Sequence, residues 1–146
     1  MERNHTHLAG EYFVAAELYR RGFSVVTNGE STTATGLLAN KDSRTISIQV
    51  KAIRNRRSVG WSMIPEKVES GIMYIFVNLN DKSAPDYYIC TPNEAKVRVK
   101  QYSTGGIIDL SALGSTQLKD RWDKLETHRF LETPPPQPQL VIEMNR

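Results

Sequence analysis

The stretch Thr45-Ile46-Ser47-Ile48-Gln49-Val50-Lys51 alternates polar and apolar side chains without a break. A period of two fits a β-strand and not a helix, and it gives the strand two different faces. Ile46, Ile48 and Val50 share one face; Ser47, Gln49 and Lys51 share the other. Further on, Ile72 to Val77 is apolar throughout, which fits a strand covered on both faces. A chain with both must build a sheet with a core on each side of its centre. The 146 residues make one domain the natural expectation, and that length buries enough surface to fold without staples.

The flanking signals supply the rest. Leu8, Tyr12, Ala15, Leu18 and Tyr19 recur at helical spacing, which predicts a helix over 6–21 capped by Thr6 and stopped by Gly22. Gly10 inside that helix costs roughly 1 kcal/mol against Ala, so something must approach closely there. Short strands are expected at Phe23–Val26, Leu37–Ala39, Trp61–Met63 and Tyr87–Cys90, with a turn at Asn40–Ser43. Thr91-Pro92 opens a helix expected to run to Gln101, and Asp120–Leu125 a last helical turn that docks Trp122. Residues 103–117 carry no clear pattern. The expected class is α/β, a central mixed sheet flanked by helices. Residues 1–131 form the domain and 132–146 a tail, because Pro134-Pro135-Pro136-Gln137-Pro138 favours extended polyproline geometry.

Charge and cysteine content narrow the partners. The formal net charge is +3, which permits nucleic-acid binding without demanding it. The lone Cys90 excludes an internal disulfide, and in a strand it is a small core residue. No cysteine and histidine cluster has zinc spacing, and His5 and His7 are taken as surface residues. Met1 to His5 lacks an apolar run, and no stretch reaches the length of a membrane span, so the expected location is the cytoplasm without membrane contact.

The chemistry concentrates after the alternating strand. Gln49 and Lys51 lie about 7 Å apart on one face. Glu11 on the first helix is expected to point towards that face. Arg54, Arg56, Arg57, Trp61 and Lys67 follow, a cationic rim with an aromatic that suits stacking on a base. Taken alone, these residues have plainer readings: the wet face of an edge strand, a solvated helix acid and a solvated basic loop.

The order Gly10-Glu11-Tyr12-Phe13-Val14-Ala15, Arg21-Gly22-Phe23, Ile48-Gln49-Val50-Lys51, Tyr74 to Leu79 and Tyr87-Tyr88-Ile89 resembles a compact branch of the PD-(D/E)XK (restriction-endonuclease-like) nuclease superfamily. The likeness spans roughly residues 7–128. It implies a restriction-endonuclease-like core, in which a strand acid and the residue two before a lysine hold Mg²⁺ and the lysine positions the attacking water. Carried over, Glu11, Gln49 and Lys51 are the catalytic set, and Glu11, Gln49 and the carbonyl of Val50 the ligands of Mg²⁺ or Mn²⁺. The strand acid is missing: its place falls near Thr35 or Gly36. Asp42 sits in the turn and is a poor substitute, and Glu30 is another candidate. A site with one carboxylate should hold Mg²⁺ weakly.

Three functions are therefore expected of such a chain. It is a metal-dependent endonuclease cutting DNA; or a catalytically inactive relative that binds nucleic acid, DNA ahead of RNA; or a protein-interaction module on the same fold, as in a defence or toxin–antitoxin system, docking through its Pro-rich tail. Enzymes of this superfamily that cut both strands are often dimers, so a homodimer is among the expected assemblies.

Overall fold

A computed structural model describes residues 2–27, 36–55, 57, 60–102, 105–114 and 117–128. Helix α1 spans Glu2–Arg20. It starts four residues before the expected cap, so Thr6 is an interior residue; of the residues at helical spacing Ala15 and Leu18 are buried, whereas Tyr12 and Tyr19 are exposed. Strands β1 (Ser24–Thr27), β2 (Leu37–Lys41) and β3 (Arg44–Ile53) follow. Asp42 and Ser43 join β2 to β3 as a two-residue hairpin with φ of 53° and 66°. That left-handed backbone matches the twist of the strands, and Asp is among the residues that tolerate it.

After β3 come β4 (Gly60–Ser62), a 3₁₀ turn (Pro65–Lys67), β5 (Ile72–Asn78) and β6 (Asp86–Cys90). Helix α2 is Pro92–Val97, capped by Thr91 in a reciprocal box with Glu94. It stops short of Gln101. β7 (Lys100–Tyr102) takes the place of the expected end of that helix, the segment without a sequence pattern holds β8 (Gly105–Asp109) and α3 (Leu110–Leu113), and α4 is Lys124–Thr127.

Five strands form a mixed sheet in the order β1-β2-β3-β5-β6, in which β3 and β5 run parallel and their neighbours antiparallel. A second sheet, β4-β8-β7, pairs short strands far apart in sequence.

Two apolar clusters sandwich the central sheet. On one side α1 lays Val14 and Leu18 against Ile46, Ile48 and Val50, with Met73, Ile75 and Val77 of β5, and Trp122 and Leu125 close the cluster. A Cβ added at Gly10 would come within 2.6 Å of the Ala52 Cβ, so the glycine lets the helix backbone approach β3. On the other side Ile53, Ile72, Tyr74 and Phe76 meet Trp61, Tyr88, Cys90 and Ile108. All seven residues of β5 are buried, as an apolar strand between two layers requires.

Candidate functional site

The alternation of β3 sets the site. Its residues from Ile46 to Lys51 run buried and half-buried by turns. Ile46, Ile48 and Val50 fill the α1 side, while Gln49 and Lys51 emerge on the opposite side beside their β5 partners Tyr74 and Phe76. There they floor a cavity of about 480 Å³. Its walls are Ser62 at the end of β4, Met63 and Ile64 just after it, and Glu66, Lys67 and Glu69 at and after the 3₁₀ turn. The turn is tied down from below: the Glu69 backbone N–H donates to the Tyr74 hydroxyl at 2.9 Å.

Lys51 is half-buried and has no anionic partner among the described residues. Burial alone pulls its ammonium below the usual lysine range, because a charge removed from water without a counter-charge is costly. Gln49 beside it is neutral and half-buried.

Helix α1 packs on the Val50 and Ala52 side of the sheet, and from there the Glu11 side chain reaches the edge of β3. Described pairing of β2 with β3 ends at Leu37↔Ile48, and Gly36 comes just before. A Cβ at Gly36 would lie 2.7 Å from Glu11 Oε2, 3.4 Å from the Ile48 carbonyl oxygen and 3.6 Å from the Val50 nitrogen. Glu11 is 6% exposed, and its carboxylate meets His7 Nε2 at 3.1 Å. Burial raises its pKa above the ordinary carboxylate range, and the facing His7 offsets part of that rise.

The other sequence candidates scatter. Trp61 is 2% exposed and packs edge-on against Phe76 and Tyr88, its indole N–H donating to the Val77 carbonyl at 3.3 Å. It is a core residue and offers no face for stacking; its place after a basic loop concealed the inward turn of β4. Arg54 is exposed, 4.0 Å from Asp81, and Arg57 is exposed beside Asn80 and Asp81 on a separate surface cavity of about 450 Å³. Arg56, Thr35 and Glu30 lie outside the described residues. Lys67 does line the Lys51 cavity. Asp42 is at the hairpin, the far end of β2 from Gly36. His5 is exposed, whereas Tyr87, Tyr88, Cys90 and Trp122 are core residues.

Glu66, Glu69 and Tyr74 were not legible as site residues. Glu66 and Glu69 stand three apart after Pro65, which is compatible with one wall, but nothing in the spacing brings that wall over Gln49.

This donor set does not fit the Mg²⁺ site that the resemblance implies. Glu11 is the lone carboxylate at the β2–β3 edge among the described residues, and Gln49 is neutral. No group of three or more His, Cys, Asp or Glu side chains suited to a metal ion occurs among the described residues.

No protein-family model matches the chain, and no curated protein matches it. Among solved structures, it is similar to Hjc, a Holliday junction resolvase from the archaeal hyperthermophile Archaeoglobus fulgidus. The match covers 73% of this chain and 86% of that one, with 13% sequence identity and a TM-score of 0.51. At that identity the likeness is one of fold: a central mixed five-stranded sheet flanked by helices, as in that nuclease. No helix among the described residues is long and apolar enough to cross a membrane.

Proposed function

We propose that this domain binds the sugar-phosphate backbone of nucleic acid over the Gln49–Lys51 face, on a nuclease fold whose metal-dependent cutting set is short of carboxylates. One observation carries the reading: Lys51 is a half-buried ammonium without an anionic partner among the described residues, at the floor of an open cavity. A phosphate oxygen supplies the charge it lacks. Lys67 on the wall adds a second cation, and Glu66 and Glu69 restrict where the strand can enter by repelling phosphates from their side. Arg54 and Arg57 extend the cationic surface beyond the end of β3. The fold likeness to a Holliday junction resolvase supports DNA as the first nucleic acid to try.

The endonuclease reading stands second, because it needs Mg²⁺ or Mn²⁺, and no group of three or more His, Cys, Asp or Glu side chains suited to a metal ion occurs among the described residues. The protein-interaction reading rests on a tail outside the described residues.

The test is fluorescence anisotropy with linear duplex, branched and single-stranded DNA and with RNA, in a salt series. The parent should bind, with affinity falling as salt rises. Lys51→Ala should weaken binding by about tenfold, the equivalent of ~1.4 kcal/mol. Equal binding by Lys51→Ala sinks the reading. A parallel cleavage assay with Mg²⁺ or Mn²⁺ should show no cutting; cutting that Lys51→Ala abolishes would restore the endonuclease in first place.

A further inference from the structure

The cavity over Lys51 has two chemically different ends. Gln49 pairs in register with Tyr74 and Lys51 with Phe76, so the two side chains stand about 7 Å apart along the floor. Glu69 belongs to the Gln49 end. Its backbone N–H donates to the Tyr74 hydroxyl at 2.9 Å. Burial raises that hydroxyl above the usual phenol range and the Glu69 charge adds to the rise, which places the carboxylate close by as well. The Lys51 end therefore suits an anion. The Gln49 end repels one and suits a hydrogen-bond donor. Met63 and the exposed Ile64 give the wall an apolar surface. A run of phosphates satisfies one end only.

An unpaired nucleotide satisfies both. Its phosphate meets Lys51, the face of its base lies against Met63 and Ile64, and the edge of the base meets Gln49 and Glu69. A glutamine amide bonds adenine at two atoms, N6 and N7, and a carboxylate accepts from an exocyclic amine. Thymine presents a carbonyl oxygen in that place, which a carboxylate repels. The volume of about 480 Å³ falls within the range of ligand pockets, roughly 300–1,000 Å³. Gln49 is half-buried at the floor, so a base still stacked in a duplex stays at the rim. From this geometry we infer that the cavity is a pocket for one unpaired DNA base with an exocyclic amino group, adenine first, whose edge is read by Gln49 and Glu69. The inference rests on the Lys51 reading above and names what that site selects.

The experiment is fluorescence anisotropy with a DNA duplex carrying one bulged adenine, the same duplex with one bulged thymine, and the duplex without a bulge. The parent should bind the adenine bulge about tenfold more tightly than the thymine bulge. Gln49→Leu should bring the two affinities together. Glu69→Gln keeps the shape of the wall and removes its charge, so it should raise affinity for the thymine bulge; if Gln49→Leu does not fold, this variant decides alone. Lys51→Ala should weaken both bulges alike and leave their ratio unchanged. Free dAMP should compete poorly, because it lacks the flanking phosphates; competition equal to that of the bulged duplex would make the cavity a mononucleotide site and overturn the inference. Equal binding of both bulges by the parent, still dependent on Lys51, would also overturn it while leaving the backbone reading intact. Absence of binding to all three duplexes would sink both.

Discussion

The two faces of β3 share one backbone and differ in what they owe to it. On the α1 side, Ile46, Ile48, Val50 and Ala52 meet a helix brought close by Gly10, and the layer is closed. On the other side the layer is closed only part of the way. Trp61, Tyr74 and Phe76 are buried there, yet Gln49 and Lys51 remain at the floor of an open cavity. The reason lies in what covers each face. One long helix lies along the first; a short second sheet and a 3₁₀ turn cover the second and leave a gap. A continuous cover makes a core, and a broken one makes a site.

Substitutions on the two faces sharpen that contrast. The largest effect is expected at Trp61, whose burial belongs to the closed part of the open face. Trp61→Ala should cost about 3–5 kcal/mol in urea unfolding, while nucleic-acid affinity of the remaining folded protein stays near that of the parent. A selective loss of affinity without loss of stability would mean that the indole contacts ligand after all. On the α1 face, Gly10→Val should cost ~1–3 kcal/mol by overpacking against Ala52, and Ala52→Gly should restore part of it. Additive losses in that pair would break the account of how the helix seats.

Lys51 should behave in the opposite sense. Its ammonium is disfavoured by burial in the folded state, so the unfolded chain binds more protons between the lowered folded pKa and the ordinary lysine value. Its contribution to stability must then rise with pH across that window, and the cost is fully present below it. Lys51→Met should flatten the rise and raise stability at neutral pH by roughly 1 kcal/mol, while weakening nucleic-acid binding. A variant less stable than its parent would show that Lys51 has a folded-state partner. The smallest effect is chemical: Cys90 is fully buried and its thiol is pushed up to about 12, so iodoacetamide should leave it unmodified at pH 8 until the protein unfolds.

The central sheet was largely legible in the sequence. Strict alternation in β3 and an unbroken apolar β5 identify strands wherever they occur, because the pattern records burial directly. Thr91-Pro92 likewise marks the start of α2, because a cap is a local device. What escaped was non-local. The β4-β8-β7 sheet joins segments some 45 residues apart through three- and five-residue strands too short to show a period. Since that sheet helps to cover the Lys51 side, the walls of the cavity went unread with it. Gln49 and Lys51 were placed together correctly by alternation. The seat of Glu11 at the edge of β3 is not written in the helix pattern, which carries no information about where on a sheet the helix will lie.

The C-terminal segment has a consequence for how the protein is made. Arg44 donates to the carbonyls of Leu125, Glu126 and His128, Lys41 pairs with Glu126 at 3.0 Å, and Arg21 stacks over the Trp122 ring. These contacts tie the first hairpin to residues more than 80 positions later. While the chain emerges from a ribosome, α1 and the β2–β3 hairpin exist long before the residues that seal their cluster do. The first third of the molecule must wait, with Phe23 and Leu18 uncovered, for the last turn to be synthesised. Closure of this layer is thus tied to the synthesis of residues 122–128, and a chain that stops before them leaves it open to aggregation.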